Sequence, residues 1–133
     1  MTLRFLLDTN IVVRWLAEPK KLSRQQMRVL GEVVRRGEAV ALSGITLIEI
    51  ATLRTEGRHR VEGNIESIFA QLETNPIFRI LPITISIAEE AGALGILRDP
   101  ADRTIVATAR VHRLRLLTSD QRIIDSKLAS VVE

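Results

Sequence analysis

The feature that most restricts this chain is an alternation of two patterns. Short apolar runs at Leu3–Leu7, Ala39–Leu42, Phe78–Ile83 and Leu114–Leu117 are separated by longer stretches of helical periodicity. The first run, Leu3, Phe5, Leu6 and Leu7, is nearly continuous, as expected of a strand buried on both faces of a parallel sheet. The intervening stretches read as helices. Asn10 to Leu16 is a short helix capped by Asn10; Ser23 and Gln26 form a capping box for a helix that Gly37 stops; Ile45 to Thr55 is a third. Val61, Ile65, Ile68, Phe69 and Leu72 recur at the spacing of one helix face. A helix from Ser86, with Thr84 as the competing cap, runs to Leu97, and another starts at Asp99-Pro100 and runs to about Arg113. Gln121 to Ser126 is a short helix, and Ala129 to Val132 a weak last strand. Strands regularly separated by helices predict an α/β fold: a central parallel sheet of four to five strands with helices on both faces, in a single domain over residues 1–133.

Composition removes other classes. Of 133 residues, 46% are apolar and 26% charged, the balance of a chain with a packed core. The absence of cysteine excludes a disulfide framework, a thiolate metal site and a thiol nucleophile. The longest uncharged stretch, Ala39–Ile48, is too short to span a bilayer, and no secretory signal opens the chain, so a soluble cytoplasmic protein is expected. The net charge of +3 is small, but 16 of the 19 basic residues are Arg and only five of the 16 acidic residues are Asp.

Those few Asp fall at informative places. Open parallel sheets bind ligands at the carboxyl ends of their strands. Asp8 directly follows the first apolar run and Asp120 closely follows the fourth, in Thr118-Ser119-Asp120. Asp102 shares a helix face with Ile105, Val106 and Ala109, which turns its carboxylate toward the sheet, where a charge is costly unless compensated. Asp120 also suits a helix cap, as does Asp99 before Pro100; Asp8, with Asn10 as the expected cap, is left without that duty. Glu49 is the only charged residue between Ala39 and Leu53, within a helix apolar nearly all round and therefore expected to be largely buried. It either joins a shared site or points outward through the polar gap beside Thr46 and Thr52.

Four convergent carboxylates repel one another unless a cation joins them. All-oxygen ligation selects Mg²⁺ or Mn²⁺, and the chemistry such ions support is hydrolysis of a phosphodiester, with one ion activating water and a second, roughly 3.5–4 Å away, stabilising the leaving oxygen. His59, in a basic run, and His112, near a helix end, are expected at the surface.

The ordered set Leu6-Leu7-Asp8-Thr9-Asn10, Glu49 in its apolar helix, Asp99-Pro100-Ala101-Asp102-Arg103 and Leu117-Thr118-Ser119-Asp120 resembles the PIN-domain nucleases, specifically the VapC-type toxins of toxin–antitoxin pairs. The resemblance implies a three-layer PIN-like fold and an Mg²⁺- or Mn²⁺-dependent endoribonuclease whose catalytic, metal-binding acids fall on Asp8, Glu49, Asp102 and Asp120. It gives Asn10 and Thr118 supporting roles, with Asp99 assisting, and implies a cognate antitoxin and a homodimer. Ala101 departs from the aromatic residue common there in relatives. Arg14, Arg98 and Arg103 become candidates for RNA phosphate contacts, and Trp15 and Leu16 for part of an apolar groove that receives the antitoxin. Two other readings compete: a receiver-like phosphoacceptor module, which needs a Lys that Lys20, Lys21 and Lys127 are poorly placed to supply, and an inactive PIN fold used for binding.

Overall fold

The computed structural model describes residues 2–56 and 65–133. Val61 and His59 lie outside the described residues. The order is β1 (Leu3–Leu7), α1 (Thr9–Ala17), a 3-10 turn at Pro19–Lys21, α2 (Arg24–Arg35), β2 (Ala39–Ser43), α3 (Gly44–Glu56), α4 (Ile65–Thr74), β3 (Phe78–Leu81), α5 (Ile85–Ala93), α6 (Pro100–His112), β4 (Arg115–Leu117), α7 (Gln121–Ser126) and β5 (Val131–Val132). The strands form one sheet in the order β3-β2-β1-β4-β5, and each recorded pairing is parallel.

The alternation of side chains along β1 divides the core in two. Phe5 and Leu7, with Val40, Leu42 and Leu117, face one layer that includes Ile11, Leu30, Ile50 and Leu72. Leu6, with Ala41 and Leu116, faces the other, where Ile87, Ile105, Val106 and Ile123 pack. Burial on both faces is what the continuous apolar run in β1 required. The edge strand β3 differs: Ile80 is 41% exposed, and the strand ends at Leu81 because Pro82 has no N–H to donate.

Several local expectations hold. The Ser23–Gln26 capping box is formed, and Gly37 supplies the left-handed residue (φ +65°) that ends α2. Three differ. α1 begins at Thr9, not Asn10, because Asp8 keeps an extended backbone and its carboxylate accepts from Thr9 N; Asp8, not Asn10, is the cap. α5 is capped by Thr84, whose Oγ1 accepts from Ile87 N, and stops at Ala93 instead of Leu97, between Gly92 and Gly95, residues of poor helix propensity. α3 is less buried than its composition suggests, for Ile48 is 59% exposed.

The chain runs from β1 outward through β2 and β3, then returns to place β4 on the other side of β1. The switch of direction therefore lies between β1 and β4, where such sheets open a crevice at their carboxyl ends. Leu7 pairs with Leu117 there, and Asp8 N donates to Leu117 O at 3.0 Å.

Candidate metal centre

Asp8 and Asp120 flank that crevice from the ends of β1 and β4. With Glu49 of α3 and Asp102 of α6 they line one cleft, about 200 Å³ in volume. Asn10, exposed in the first turn of α1, and Asp99, the cap of α6, also reach its lining. The four carboxylates expected to share a site are thus brought to one place from four elements.

Each is held differently. Asp8 is buried. Its Oδ1 accepts from Thr9 N (2.8 Å) and its Oδ2 from Thr118 Oγ1 (2.7 Å). Burial pushes its pKa up, the two hydrogen bonds oppose that, and Asp120 adds to the rise. Thr118 Oγ1 also accepts from Asp120 N (3.0 Å), so one buried hydroxyl joins the two acids. Behind this turn lies Gln26, fully buried. Its Oε1 completes the capping box while its Nε2 donates to Ser119 Oγ (3.1 Å) and Thr118 O (3.4 Å).

Glu49 points into the cleft and not through an outward gap. Thr9 Oγ1 donates to its Oε1 (2.5 Å), so the hydroxyl of buried Thr46, 3.0 Å away, donates to Thr9 in turn. Burial raises Glu49, the Thr9 hydrogen bond opposes it, and Asp8 and Asp99 push it further up.

Asp102 is buried on the sheet-facing side of α6 with Ile105, Val106 and Ala109, as its spacing predicts. Burial first, then the negative charges of Asp99, Asp120 and Asp8, push its pKa up to about 7; Arg122 partly offsets them. Asp120 caps α7 through Arg122 N (2.9 Å). Burial acts to raise it, but the Arg122 side-chain and backbone hydrogen bonds outweigh burial and hold it below the usual carboxylate range.

Arg122 is the residue that sequence reasoning passed over. Its guanidinium bonds Asp120 (Nη2 to Oδ2, 3.0 Å) and reaches Asp102 Oδ2 at 3.5 Å, although the side chain is 73% exposed. An Arg two residues after an Asp cap was the available signal. Thr9 was also missed, since its role appears only when α1 meets α3. The proposed phosphate-contacting arginines separate. Arg98 is exposed at the rim of an adjoining cavity, and Arg14 lies near enough to lower Asp8. Arg103 is committed elsewhere: its Nε donates to Leu97 O, tying α6 to the preceding loop. Trp15 packs edge-on against Phe78, centroids 5.7 Å apart, and with Leu16 lies partly buried against the core.

The donor set is all oxygen, and its members raise one another's pKa, so the chemistry of the cleft fits a hard divalent cation. Among the described residues, no three acidic side chains already close into a ligand cage. Arg122 stands between two of them instead. Among the described residues no lysine lines the cleft, where a phosphoacceptor site would need one.

Fold and cleft together define a parallel α/β protein with an acid-rich, all-oxygen site at the switch point of its sheet. The chain belongs to the PIN domain family, which it matches over residues 5–127. It is similar to Ribonuclease VapC22 of Mycobacterium tuberculosis, with 34% identity over 120 residues that cover 89% of this chain and 88% of the relative. Among solved structures it resembles a toxin-antitoxin complex from Klebsiella pneumoniae, at 25% identity and TM-score 0.66, covering 96% of this chain and 95% of that one. It also resembles FitAcB from Neisseria gonorrhoeae, at 26% identity and TM-score 0.64, covering 97% and 96%.

Proposed function

We propose that this chain is a metal-dependent endoribonuclease, the toxin of a toxin–antitoxin pair, acting in the cytoplasm as a single PIN-like domain and pairing as a homodimer. The observation that carries the reading is the convergence of Asp8, Glu49, Asp102 and Asp120 on one cleft at the sheet's switch point. The ribonuclease name of the relative at 34% identity supports the substrate class, and the toxin–antitoxin neighbour supports a protein partner. No helix among the described residues is long and apolar enough to cross a membrane.

In this reading Asp8, Glu49, Asp102 and Asp120 hold Mg²⁺ or Mn²⁺. When bound, the ion supplies a water of lowered pKa and neutralises charge on the scissile phosphate. Thr118 and Thr9 fix the lone pairs of Asp8 and Glu49 through the hydrogen bonds above, which pre-orients two carboxylates before any ligand arrives. Asn10 adds a polar edge beside Asp8, and Asp99 keeps the start of α6, and hence Asp102, in place.

The test is cleavage of structured RNAs by protein freed of any partner, with and without Mn²⁺. Metal-dependent cleavage that disappears in Asp8→Asn and Asp102→Asn is expected. Mn²⁺ should also raise the melting temperature of the wild type by mass action. A melting temperature indifferent to millimolar Mn²⁺, together with intact RNA, overturns the reading.

A further inference from the structure

A second cavity, about 440 Å³, adjoins the acidic cleft and shares Asp99, Asp102 and Arg122 with it. Its volume lies in the range of small-molecule sites, roughly 300–1,000 Å³. Away from the shared wall its lining changes character. Ile96 is 73% exposed in the 94–99 segment, whose other large apolar residues, Leu94 and Leu97, are buried. On the α7 side stand Asp125 and Ser126, and Asp125 accepts from Gln121 Nε2 through Oδ1 at 2.7 Å.

We propose that this cavity is a nucleoside subsite for the RNA strand whose phosphate enters the acidic cleft, discriminating among bases by the donors they present to Asp125. The inference rests on the ribonuclease reading and assigns a further binding site to it. A strand with one phosphate among the carboxylates must place its neighbouring nucleoside beside them, and this cavity adjoins the cleft across Asp99, Asp102 and Arg122. Ile96 offers an aliphatic face to a base or ribose in a chain whose Trp15 and Phe78 are used in packing elsewhere. Asp125 is an acceptor, and a carboxylate reads a base through the donors on its edge, as it does the amino group of cytosine. Arg122 stands at the junction, where a planar guanidinium takes a phosphate in bidentate fashion.

The experiment uses oligoribonucleotides varied in turn to A, C, G and U at the position flanking a mapped cleavage point. Wild type, Ile96→Ala, Ile96→Leu and Asp125→Asn are compared in Mn²⁺. Ile96→Ala should raise KM about tenfold with kcat little changed, the lower end of the scale for lost apolar contact in a recognition pocket. Ile96→Leu should restore KM. Asp125→Asn should flatten the base preference at that position, and the Mn²⁺-induced rise in melting temperature should persist in every variant. Unchanged KM and unchanged base preference in Ile96→Ala and Asp125→Asn overturn the subsite, as does loss of affinity for a protein partner with RNA kinetics intact. RNA binding by fluorescence anisotropy in an Asp8→Asn background separates the two readings. If the wild type cuts no RNA but Ile96→Ala still weakens binding, the subsite stands and the hydrolytic reading falls. Absence of both binding and cleavage overturns both.

Discussion

The two walls of the acidic cleft carry the same functional group and treat it in opposite ways. On the β1/β4 wall, Asp8 is buried but met by Thr9 N and Thr118 Oγ1, and the turn behind it is braced by Gln26. On the α6/α7 wall, Asp102 is buried among like charges and offset by a guanidinium on an exposed side chain, 3.5 Å away. Both carboxylates are held above their ordinary pKa, but burial of the first is opposed by fixed dipoles of the fold and burial of the second by one exposed side chain. Both walls therefore leave a demand for positive charge, and the β1/β4 wall adds order to it.

The largest expected effect treats the walls as equals. Asp8→Asn and Asp102→Asn should each lower metal-dependent RNA cleavage by about 10²-fold or more, the scale of losing a group that stabilises transition-state charge. Retained turnover in Asp102→Asn would place the chemistry on the β1/β4 wall alone.

Stability should split them. Thr118→Val leaves Asp8 short of a buried donor and should cost about 1–3 kcal/mol in urea unfolding of the metal-free protein. Asp102→Asn at pH 7.5 should do the reverse and raise stability, since it removes a charge the fold holds at a cost. Equal losses in both variants would break the comparison.

The pH dependence follows from the same asymmetry. The pKa of Asp102 in the folded chain, about 7, lies above its ordinary value of 3.8, so the folded state binds the extra proton. Metal-free stability should therefore fall as pH rises through the window from about 4 to about 7, with Asp8 and Glu49 acting in the same direction. Melting temperatures in EDTA across that window should show the slope, and Asp102→Asn or saturating Mn²⁺ should reduce it.

The smallest effect concerns Arg122. Its exposed pairing adds little to folding, so Arg122→Ala should leave the denaturation midpoint nearly unchanged. Removing a cation from the cleft should tighten Mn²⁺ binding about threefold by titration calorimetry. Unaltered affinity would show that the guanidinium and the metal do not compete.

How much of this was legible depends on the range over which each feature is specified. The strands are local facts, apolar runs that admit few other placements. Asp102 was legible because a helix fixes its face from neighbours three, four and seven residues away. Asp8 was half legible: its position at a strand end was evident, but which residue caps α1 turned on the backbone angle of a single residue. The Thr46–Thr9–Glu49 chain was not legible, because it exists only where α1 crosses α3. Gln26 showed one of its two tasks, the capping box, while the clamp on Ser119 spans 93 positions. Arg103 and Arg122 illustrate the limit most clearly. Both follow an acid of the cleft closely in sequence, yet one turns back to Leu97 O and the other turns in to the carboxylates.

The central place of β1 also sets when the cleft can exist. β1 precedes its partner β4 by most of the described fold, and Asp8 meets Thr118 across 110 positions. Long-range parallel pairing of this kind forms late, after the cost of closing the loop has been met. A chain still being synthesised, or one broken before Thr118, holds Asp8, Glu49 and Asp102 without the strand that gathers them. If the proposed activity is toxic to the cell that makes it, this topology delays the weapon until β4 and Thr118 have been built.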